Sequence, residues 1–403
     1  MAKPDLARAG LSGTAPILKI VRAGEVVSMP ARSLTLDDLR RFAVARSLFA
    51  PTTLGRALAR MGFVQADPIR APARAQDLIL RPRVKGYRAG DLERRYESLG
   101  IEEDVFVNYG FVTKAVQALM HPRVPVAERK REQLLLEFVE ERGAVHPRDA
   151  EEHFAHGRVR NYWGGSSHAT THMLDALHYR GKLRVARREK GIRVYRTHRH
   201  DAGPMDEATR RARIDALVDV VVNLYAPLPG ATLSYYVRRL RYAVPQWEKE
   251  ITAALQRTRG RLAQARVEGV DWYWPIEENP QRAPATEVVR LLAPFDPVVH
   301  DRTRFELLWG WVYRFEAYTP VPKRKLGYYA LPLLWRDRVI GWGNLALRNQ
   351  TAPKCNFATR NLGTRTLTSE LGYVTGQSPR DPTFKRELEA ELNSIRVFLG
   401  ATA

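Results

Sequence analysis

The sequence predicts an α+β fold of tandem winged-helix units, that is helix-turn-helix units with a β-hairpin wing, followed by a β-rich domain. Short helices with capping residues recur in the N-terminal part, and an alternating apolar and basic stretch follows one group of them. From about Val288, short aromatic and β-branched runs separated by Pro and Gly take over. The 403 residues are enough for several domains, since domains usually have ~100–200 residues.

The first winged-helix unit is predicted at residues 34–125, after a loosely ordered arm at residues 1–33 that is rich in Ala, Gly and Pro. Ser33 or Thr35 can cap its first helix, because a side-chain oxygen at that position accepts hydrogen bonds from free backbone N–H groups. A second short helix ends at Gly62, and a basic segment follows. This order is typical of a helix-turn-helix module.

The second unit, residues 126–204, has the fullest winged-helix pattern. A helix stops at Gly143, HPRDAEEHF starts another, and SSHATTHMLDALHYRG supplies a third. KLRVARREKGIRVYR then alternates apolar and basic residues around a turn at Lys190-Gly191. Helices followed by a basic hairpin are the order of a winged helix.

The third unit and the β-rich domain complete the chain. Residues 205–285 contain a helical block with breaks at Pro227–Gly230 and Pro245, followed by the strand-like RVEGVDWYWP. Residues 286–403 are predicted to contain strands in LLAPFDPVV, WVYRFEAYTPVP, GYYALPLLW and DRVIGWGNLAL, and a final amphipathic helix. The tryptophans of this region are predicted to be core residues, with base stacking as the alternative. These are Trp309, Trp311, Trp335 and Trp342.

The charge balance indicates a polyanionic partner. Lys and Arg number 65 against 44 Asp and Glu, a net charge of +21, which favours nucleic acid. No apolar run is long enough for a membrane span and the N-terminus is not a convincing secretion signal. We therefore expect a cytoplasmic, nucleoid-associated protein with no membrane partner. Cys355 is the only cysteine, which excludes an internal disulfide and a zinc site built on several cysteines.

The stretch GFVQADPI places Gln65 and Asp67 two residues apart, immediately before Pro68. The residue before a proline favours an extended backbone, in which alternate side chains point to the same side. Gln65 and Asp67 would then face one space as a candidate catalytic pair. The alternative is structural, because Asp followed by Pro is also a good start for a helix.

Basic residues near this stretch and in the predicted hairpin are candidate phosphate contacts, and the alternative is an ordinary solvated basic surface. The first group comprises Arg74, Arg81, Arg83 and Lys85. The hairpin group comprises Lys182, Arg184, Arg187, Arg188, Lys190 and Arg193, with Arg196 beyond them. His168 and His172 have the spacing of two ligands on one helical face, but no third ligand accompanies them, so no metal site is predicted.

Three segments together resemble the AlkZ/YcaQ family of bacterial DNA glycosylases. They are QADPIRAPARAQDLILRPRVKGY, LAPFDPVVHDR and YTPVPKRKLGYYALPLL, and the likeness extends from about residue 34 to the last helix. The resemblance implies tandem winged-helix units followed by a C-terminal β-barrel-like domain. The family motif is Gln, an apolar residue, then Gln or Asp, so Gln65-Ala66-Asp67 is similar to the variant of the YcaQ branch, whose members unhook interstrand crosslinks and remove N7-alkylated purines.

The resemblance implies a monofunctional, metal-independent glycosylase without cofactor that acts on duplex DNA with alkylated or crosslinked purines. No dimerisation element stands out in the sequence, so we expect a monomer. Asp67 would stabilise the oxocarbenium-like sugar and activate water, and Gln65 would orient the water or the carboxylate. The product would be an abasic site. Arg74 and Arg83 occupy family-like positions, and Lys323, Arg324 and Lys325 in the third segment are further predicted DNA contacts.

The chain departs from the family pattern at several positions. Phe106, Asn108 and Tyr109 replace the Trp, His and Glu of many relatives; Trp342, Asn344 and Ala346 replace an Arg-x-Asp-x-Lys pattern; and Gln76 stands where His is frequent. These changes favour an altered lesion preference or lower activity. They also keep open the alternative of a non-catalytic winged-helix DNA-binding protein, either a lesion binder or a transcriptional regulator.

Overall fold

The computed structural model describes residues 33–123, 127–160, 165–200, 205–349 and 365–401. It also places β1 (Val21–Arg22) antiparallel to β2 (Glu25–Val26). The remainder of the predicted arm and Cys355 lie outside the described residues. Within the described ranges, no helix combines the length and the apolar character that a membrane span requires.

The first region folds around a small sheet that carries Gln65. Thr35 caps α1 by accepting a hydrogen bond from the backbone N–H of Asp38, whose side chain caps Thr35 in return, and α2 ends at Gly62 as expected. The helices here are α1 (Leu36–Ser47), α2 (Leu54–Met61), α3 (Ala75–Leu80), α4 (Asp91–Arg94) and α5 (Lys114–Met120). The strands β3 (Phe63–Gln65), β4 (Ile101–Val105) and β5 (Tyr109–Thr113) form an antiparallel sheet in the order β3-β5-β4.

The second region contains the predicted helices and the predicted hairpin. The helices are α6 (Lys130–Arg142), α7 (Pro147–Phe154) and α8 (Ala169–Tyr179). The strands are β6 (Arg158–Arg160) paired with β7 (Ser166–His168), and β8 (Leu183–Glu189) paired with β9 (Ile192–Thr197). The hairpin β8–β9 turns at Lys190 and Gly191, which both have positive φ angles, of 48° and 86°. His168 lies in β7 rather than in the third helix, so it does not share a helical face with His172.

The third region repeats a pattern of helices followed by a hairpin. It comprises α9 (Glu207–Tyr225), β10 (Leu228–Pro229), α10 (Gly230–Arg239), α11 (Ile251–Arg261), β11 (Ala263–Val267) and β12 (Val270–Trp274). The helices are interrupted at the two predicted proline-containing breaks. The short β10 joins the hairpin in the order β10-β12-β11.

The C-terminal region has an open antiparallel sheet in the order β13-β14-β15-β16, with a bulge between Leu333 and Leu334 that bends β14. Its elements are β13 (Val289–Leu291), α12 (Arg302–Trp309), β14 (Leu331–Trp335), β15 (Arg338–Asn349), β16 (Arg365–Tyr373) and α13 (Pro382–Leu399). The expected strand in WVYRFEAYTPVP does not form, the one in LLAPFDPVV is reduced to Leu291 at the end of β13, and α12 was not anticipated. Aromatic content alone misled the prediction, because these rings pack from loops instead of a sheet.

The core joins the regions into a shared interior. One cluster of buried apolar residues includes Leu39 of α1, Val218 of α9, Tyr236 of α10, Val289 of β13 and Phe398 of α13. The four tryptophans of the C-terminal region pack against the apolar clusters as partly buried residues, which favours the core role over base stacking. Because the elements share this core, side chains from distant parts of the sequence can meet beside Gln65.

Candidate active site around Gln65 and Asp67

Gln65 is the last residue of β3, and Asp67 follows it in a loop. Gln65 lies opposite Gly110 of β5, where any Cβ would overlap the carbonyl oxygen of Val64, so the two strands approach closely. Asp67 Oδ1 accepts a hydrogen bond of 2.9 Å from the backbone N–H of Ile69. No helix starts at Pro68, since the next helix begins at Ala75, so the helix-cap alternative for Asp67 is wrong.

The Asp67 carboxylate is partly buried without a cation to pair with it. Among the described residues, no Lys, Arg or His side chain forms an ion pair with Asp67. Burial raises the pKa of Asp67 above its ordinary value, and the hydrogen bond from Ile69 lowers it to a smaller extent. A carboxylate that is costly to keep charged binds a proton more strongly, which suits it to act as a general base.

Gln65 is held by a chain of side-chain hydrogen bonds. Asn108 Nδ2 donates to Gln65 Oε1 at 3.0 Å. Arg239 of α10 donates through Nη2 to Asn108 Oδ1 at 2.6 Å and through Nε to the carbonyl oxygen of Val107 at 2.7 Å. Because its amide oxygen is engaged by Asn108, the amide N–H groups of Gln65 are the part of the side chain left to bind another partner.

His300 closes the same network from the C-terminal region. Its Nε2 lies 3.4 Å from Asn108 Nδ2, and its Nδ1 lies 2.7 Å from the hydroxyl of Tyr236. Burial, followed by the nearby charges of Arg302 and Arg239, lowers the pKa of His300 to about 3. A neutral His300 can therefore accept a hydrogen bond from the Asn108 amide. This contact helps to fix the orientation of the Asn108 side chain that holds Gln65.

Three of the predicted phosphate contacts are wrong, because their side chains are buried in ion pairs. Arg83 is 0% exposed and pairs through both terminal nitrogens with Asp296, at 2.7 and 3.0 Å. Arg81 pairs with Glu391 of α13. Arg184 lies 3.0 Å from Asp104 in the interior. These arginines join parts of the protein and do not reach a DNA backbone.

Several of the other cations from the sequence analysis also have acidic partners. Arg74 pairs with Glu93, Arg188 with Glu103 at 2.6 Å, and Arg193 with Asp175 at 2.8 Å, all from partly buried positions. Lys182 pairs with Glu128 at 2.9 Å, and the exposed Arg187 pairs with Glu189 at 2.6 Å. The hairpin is thus tied to the sheet that carries Gln65, through Glu103 of β4.

A smaller set of cations remains available to DNA. Lys85, Lys190, Lys323 and Lys325 are exposed, and the described residues give none of them an ion pair. Arg324 donates to the carbonyl oxygen of Thr319 at 2.8 Å and lies over the Tyr328 ring. Arg70, an exposed cation three residues beyond Asp67, was missed in the sequence analysis although it belongs to the basic segment.

The residues that depart from the family pattern have defined contacts. Asn108 holds Gln65, as described above. The Tyr109 hydroxyl donates to Glu103 at 2.6 Å, Gln76 Oε1 accepts from the backbone N–H of Asp67 at 3.4 Å, and Asn344 donates to the carbonyl oxygen of Leu326 at 2.8 Å. Phe106 is buried and its ring centroid lies 5.5 Å from that of Phe63 in β3. The replacements near the motif therefore build a packed environment around it.

Arg239 and Tyr236 were not found from the sequence, because nothing in YYVRR distinguishes them from ordinary residues of an amphipathic helix. His300 did carry a signal, since it lies in the segment LAPFDPVVHDR. Its role as a partner of Asn108 depends on a contact between residues 192 positions apart. Pattern reasoning on one sequence does not provide such a contact.

Comparison with known proteins gives two findings. A family described as "DNA glycosylase AlkZ-like" matches residues 58–396. The fold is similar to that of Streptomyces sahachiroi DNA glycosylase AlkZ, with a TM-score of 0.55 and 13% sequence identity, covering 92% of this chain and 98% of that protein. The matched region contains Gln65, Asp67, Asn108, Arg239 and His300.

Proposed function

This chain belongs to the AlkZ-like DNA glycosylase family, and on that premise we propose that it is a monofunctional glycosylase for N7-alkylated purines in duplex DNA, including purines in interstrand crosslinks. The observation that supports this proposal most is the Gln65 and Asp67 arrangement, in which an unpaired, partly buried carboxylate follows an amide fixed by Asn108. The protein would work as a monomer on nucleoid DNA in the cytoplasm.

The reaction needs little from the protein besides a base and a fixed water. An N7-alkylated guanine is already positively charged, so when the bond between N9 and C1′ breaks, the bonding electrons neutralise the base and it leaves without a general acid. Asp67 stabilises the positive charge that develops on the sugar and accepts a proton from the attacking water. The water oxygen becomes the hydroxyl on C1′, which gives an abasic site with an intact strand.

Gln65 acts in this proposal as the group that places the water. Its amide oxygen is held by Asn108, so an N–H of the same amide is the part that would hydrogen-bond the water oxygen. Holding the nucleophile in line with C1′ lowers the entropic cost of attack. Neither role requires a metal or a cofactor, and no group of acidic, His and Cys side chains in the described residues has the arrangement of a metal site.

The regions with helices and hairpins would act as tandem winged-helix units on the DNA. In the second region, α6, α7 and α8 precede the β8–β9 hairpin, and the backbone of Val145 bridges to Tyr195 of β9. This is the order of a winged helix, whose wing contacts the DNA backbone. The exposed Lys190 at the turn of the hairpin would make such a contact, whereas the paired arginines would hold the hairpin in place.

Two labelled duplexes test the proposal, one with a single 7-methylguanine and one with a nitrogen-mustard crosslink between guanines. The protein should produce alkali-labile sites in the first and release the strands of the second, and neither should be cut without alkali. A Gln65→Ala variant should lose most of this activity and still bind. Binding of both duplexes without conversion of either would instead favour a lesion-binding or regulatory protein.

A further inference from the structure

Four aromatic side chains form a continuous surface, here called the aromatic wall, from Phe295, Phe315, Tyr318 and Tyr329. The Phe315 ring centroid lies 5.2 Å from that of Phe295, 6.1 Å from that of Tyr318 and 5.3 Å from that of Tyr329. All three contacts have edge-to-face geometry, which is favourable for aromatic pairs. Phe315 thus connects a buried end of the wall to an exposed end.

One end of the aromatic wall contacts the network that holds Gln65, and its two tyrosines are close enough to Asp67 to be affected by its charge. The Phe295 ring lies 6.2 Å from the ring of His300, which contacts the Asn108 side chain that holds Gln65. At the other end, burial and then the negative charge of Asp67 raise the pKa values of both Tyr318 and Tyr329. Both tyrosines therefore lie within electrostatic reach of the candidate general base.

Tyr318 is unusually placed for an aromatic residue. It is 75% exposed, the highest value among the large hydrophobic side chains of the described residues. Tyr329, by contrast, is 3% exposed, and its hydroxyl is buried without a hydrogen-bond partner in the described structure. Both rings contact Phe315, and the Tyr329 hydroxyl is a buried polar group that a bound water or a ligand can satisfy.

The segment that carries Tyr318, residues 316–327, is held in one conformation by Glu316. The Glu316 carboxylate accepts hydrogen bonds from the backbone N–H groups of Lys325 at 2.9 Å, Leu326 at 2.7 Å and Gly327 at 3.2 Å. This segment also carries the exposed Lys323 and Lys325. A fixed, exposed ring beside free cations is the combination that binds nucleic acid through base stacking and phosphate contacts.

We propose that Tyr318 is the specificity-determining residue of the site and stacks on the positively charged, N7-alkylated purine while Asp67 faces its sugar. The face of an aromatic ring is electron-rich, so it attracts a cationic base more strongly than the neutral base of undamaged DNA. An exposed stacking surface also suits a crosslinked purine, which cannot be turned freely into a deep pocket. The proposal rests on the proposed function and adds how the lesion is selected.

The test that does not depend on catalysis is binding. The probe is a duplex with 7-methylguanine on a 2′-fluoro sugar, whose glycosidic bond resists hydrolysis, compared with the same duplex undamaged. The wild-type protein should prefer the damaged duplex, and Tyr318→Ala should lose about 10-fold or more of that preference, the size of one base-stacking contact. Tyr318→Phe should keep it. Tyr328→Ala is the matched control, since Tyr328 is an exposed tyrosine of the neighbouring segment at 44% exposure.

Single-turnover excision of 7-methylguanine completes the test. The Tyr318→Ala rate should fall with its lesion preference, while Tyr318→Phe and Tyr328→Ala stay close to the wild type. A wild-type preference that Tyr318→Ala leaves intact, the absence of any preference, or an equal loss in Tyr328→Ala would each overturn the stacking role. Lesion preference that depends on Tyr318 without excision by the wild type would support stacking and refute the proposed glycosylase activity.

Discussion

At the scale of single residues, the Asp67 carboxylate lowers the stability of the folded protein but serves as the general base in the proposed reaction. Its carboxylate is partly buried. In the described residues it pairs with no cation, and it accepts one hydrogen bond, from the backbone N–H of Ile69. A charged group in such a place is less stable than it would be in water. Groups of this kind are frequent at functional sites, where stability is lost for the sake of reactivity.

Asp67→Asn should raise the melting temperature at pH 7. The pKa of Asp67 is raised in the folded protein, so the folded state binds the proton more tightly than the unfolded state. The carboxyl therefore contributes stability below the unfolded pKa of about 3.9, and that contribution is lost as the pH rises through the higher folded value. Asn has no charge to bury and can still accept from Ile69. Thermal unfolding between pH 4 and pH 8 should show that the increase in melting temperature over the wild type becomes smaller as the pH falls.

The control for this prediction is Glu97→Gln, which removes one negative charge at an exposed position. It should leave the melting temperature nearly unchanged over the same pH range. If Asp67→Asn were less stable than the wild type at pH 7, the carboxylate would have to be stabilised by a partner, and the account of its basicity would be wrong.

At the scale of secondary-structure elements, the site depends on where β3, β5 and α10 meet. Gln65 ends β3, Asn108 immediately precedes β5, and Arg239 ends α10, so three separate elements supply one hydrogen-bonded chain. Such a chain fixes the orientation of the Gln65 amide better than a single contact would. Asn108 is therefore a positioning residue in the proposed reaction.

Asn108→Asp tests this role with almost no change of shape. The new carboxylate keeps the hydrogen bond from Arg239 but can no longer donate to Gln65 Oε1, which should turn the Gln65 amide around. We expect the single-turnover excision rate to fall by about 10- to 100-fold, with duplex affinity and thermal stability close to those of the wild type. A variant that excises normally, or that loses binding and excision together, would contradict a positioning role.

Much of the element structure could be predicted from local chemistry. Thr35 caps a helix through its side-chain oxygen, whereas the helix ends at Gly62 and Gly143 and the turn at Lys190-Gly191 use the positive φ angles that glycine tolerates. The loop that carries Tyr318 was mistaken for a strand, because the strand preference of aromatic and β-branched residues reflects side-chain packing, which a packed loop can also supply. The sequence also singled out Gln65 and Asp67 as a candidate pair, but the Asn108, Arg239 and His300 contacts depend on tertiary packing.

At the scale of the whole molecule, buried arginines connect the first region, which carries Gln65 and Asp67, to the C-terminal region. Arg83 pairs with Asp296, which is 213 positions away, and Arg81 pairs with Glu391 of α13. Glu391 also accepts from the backbone N–H of Leu291 at 2.8 Å. These arginines could not be distinguished from exposed ones in the sequence, because the acidic residues that pair with them in the interior lie far away along the chain.

Arg83 and Lys85 form a matched pair for distinguishing structural from DNA-binding cations. Arg83→Met leaves Asp296 buried without its partner and should cost about 3–5 kcal/mol of unfolding free energy in chemical denaturation. Lys85→Ala should leave stability unchanged, weaken binding to undamaged duplex, and reduce the slope of log affinity against log salt by about 1. An Arg83→Met protein of normal stability with weakened binding would show that Arg83 contacts DNA after all.

The central claim, that Asp67 performs the chemistry beside Gln65, is tested most directly by the single-turnover excision rate of 7-methylguanine from a duplex, measured for the wild type and Asp67→Asn. Our account predicts a rate reduced by about 10²- to 10⁴-fold, the usual contribution of a general base, with duplex affinity unchanged and a folded protein of equal or greater thermal stability. An Asp67→Asn protein that excises at the wild-type rate would contradict the account.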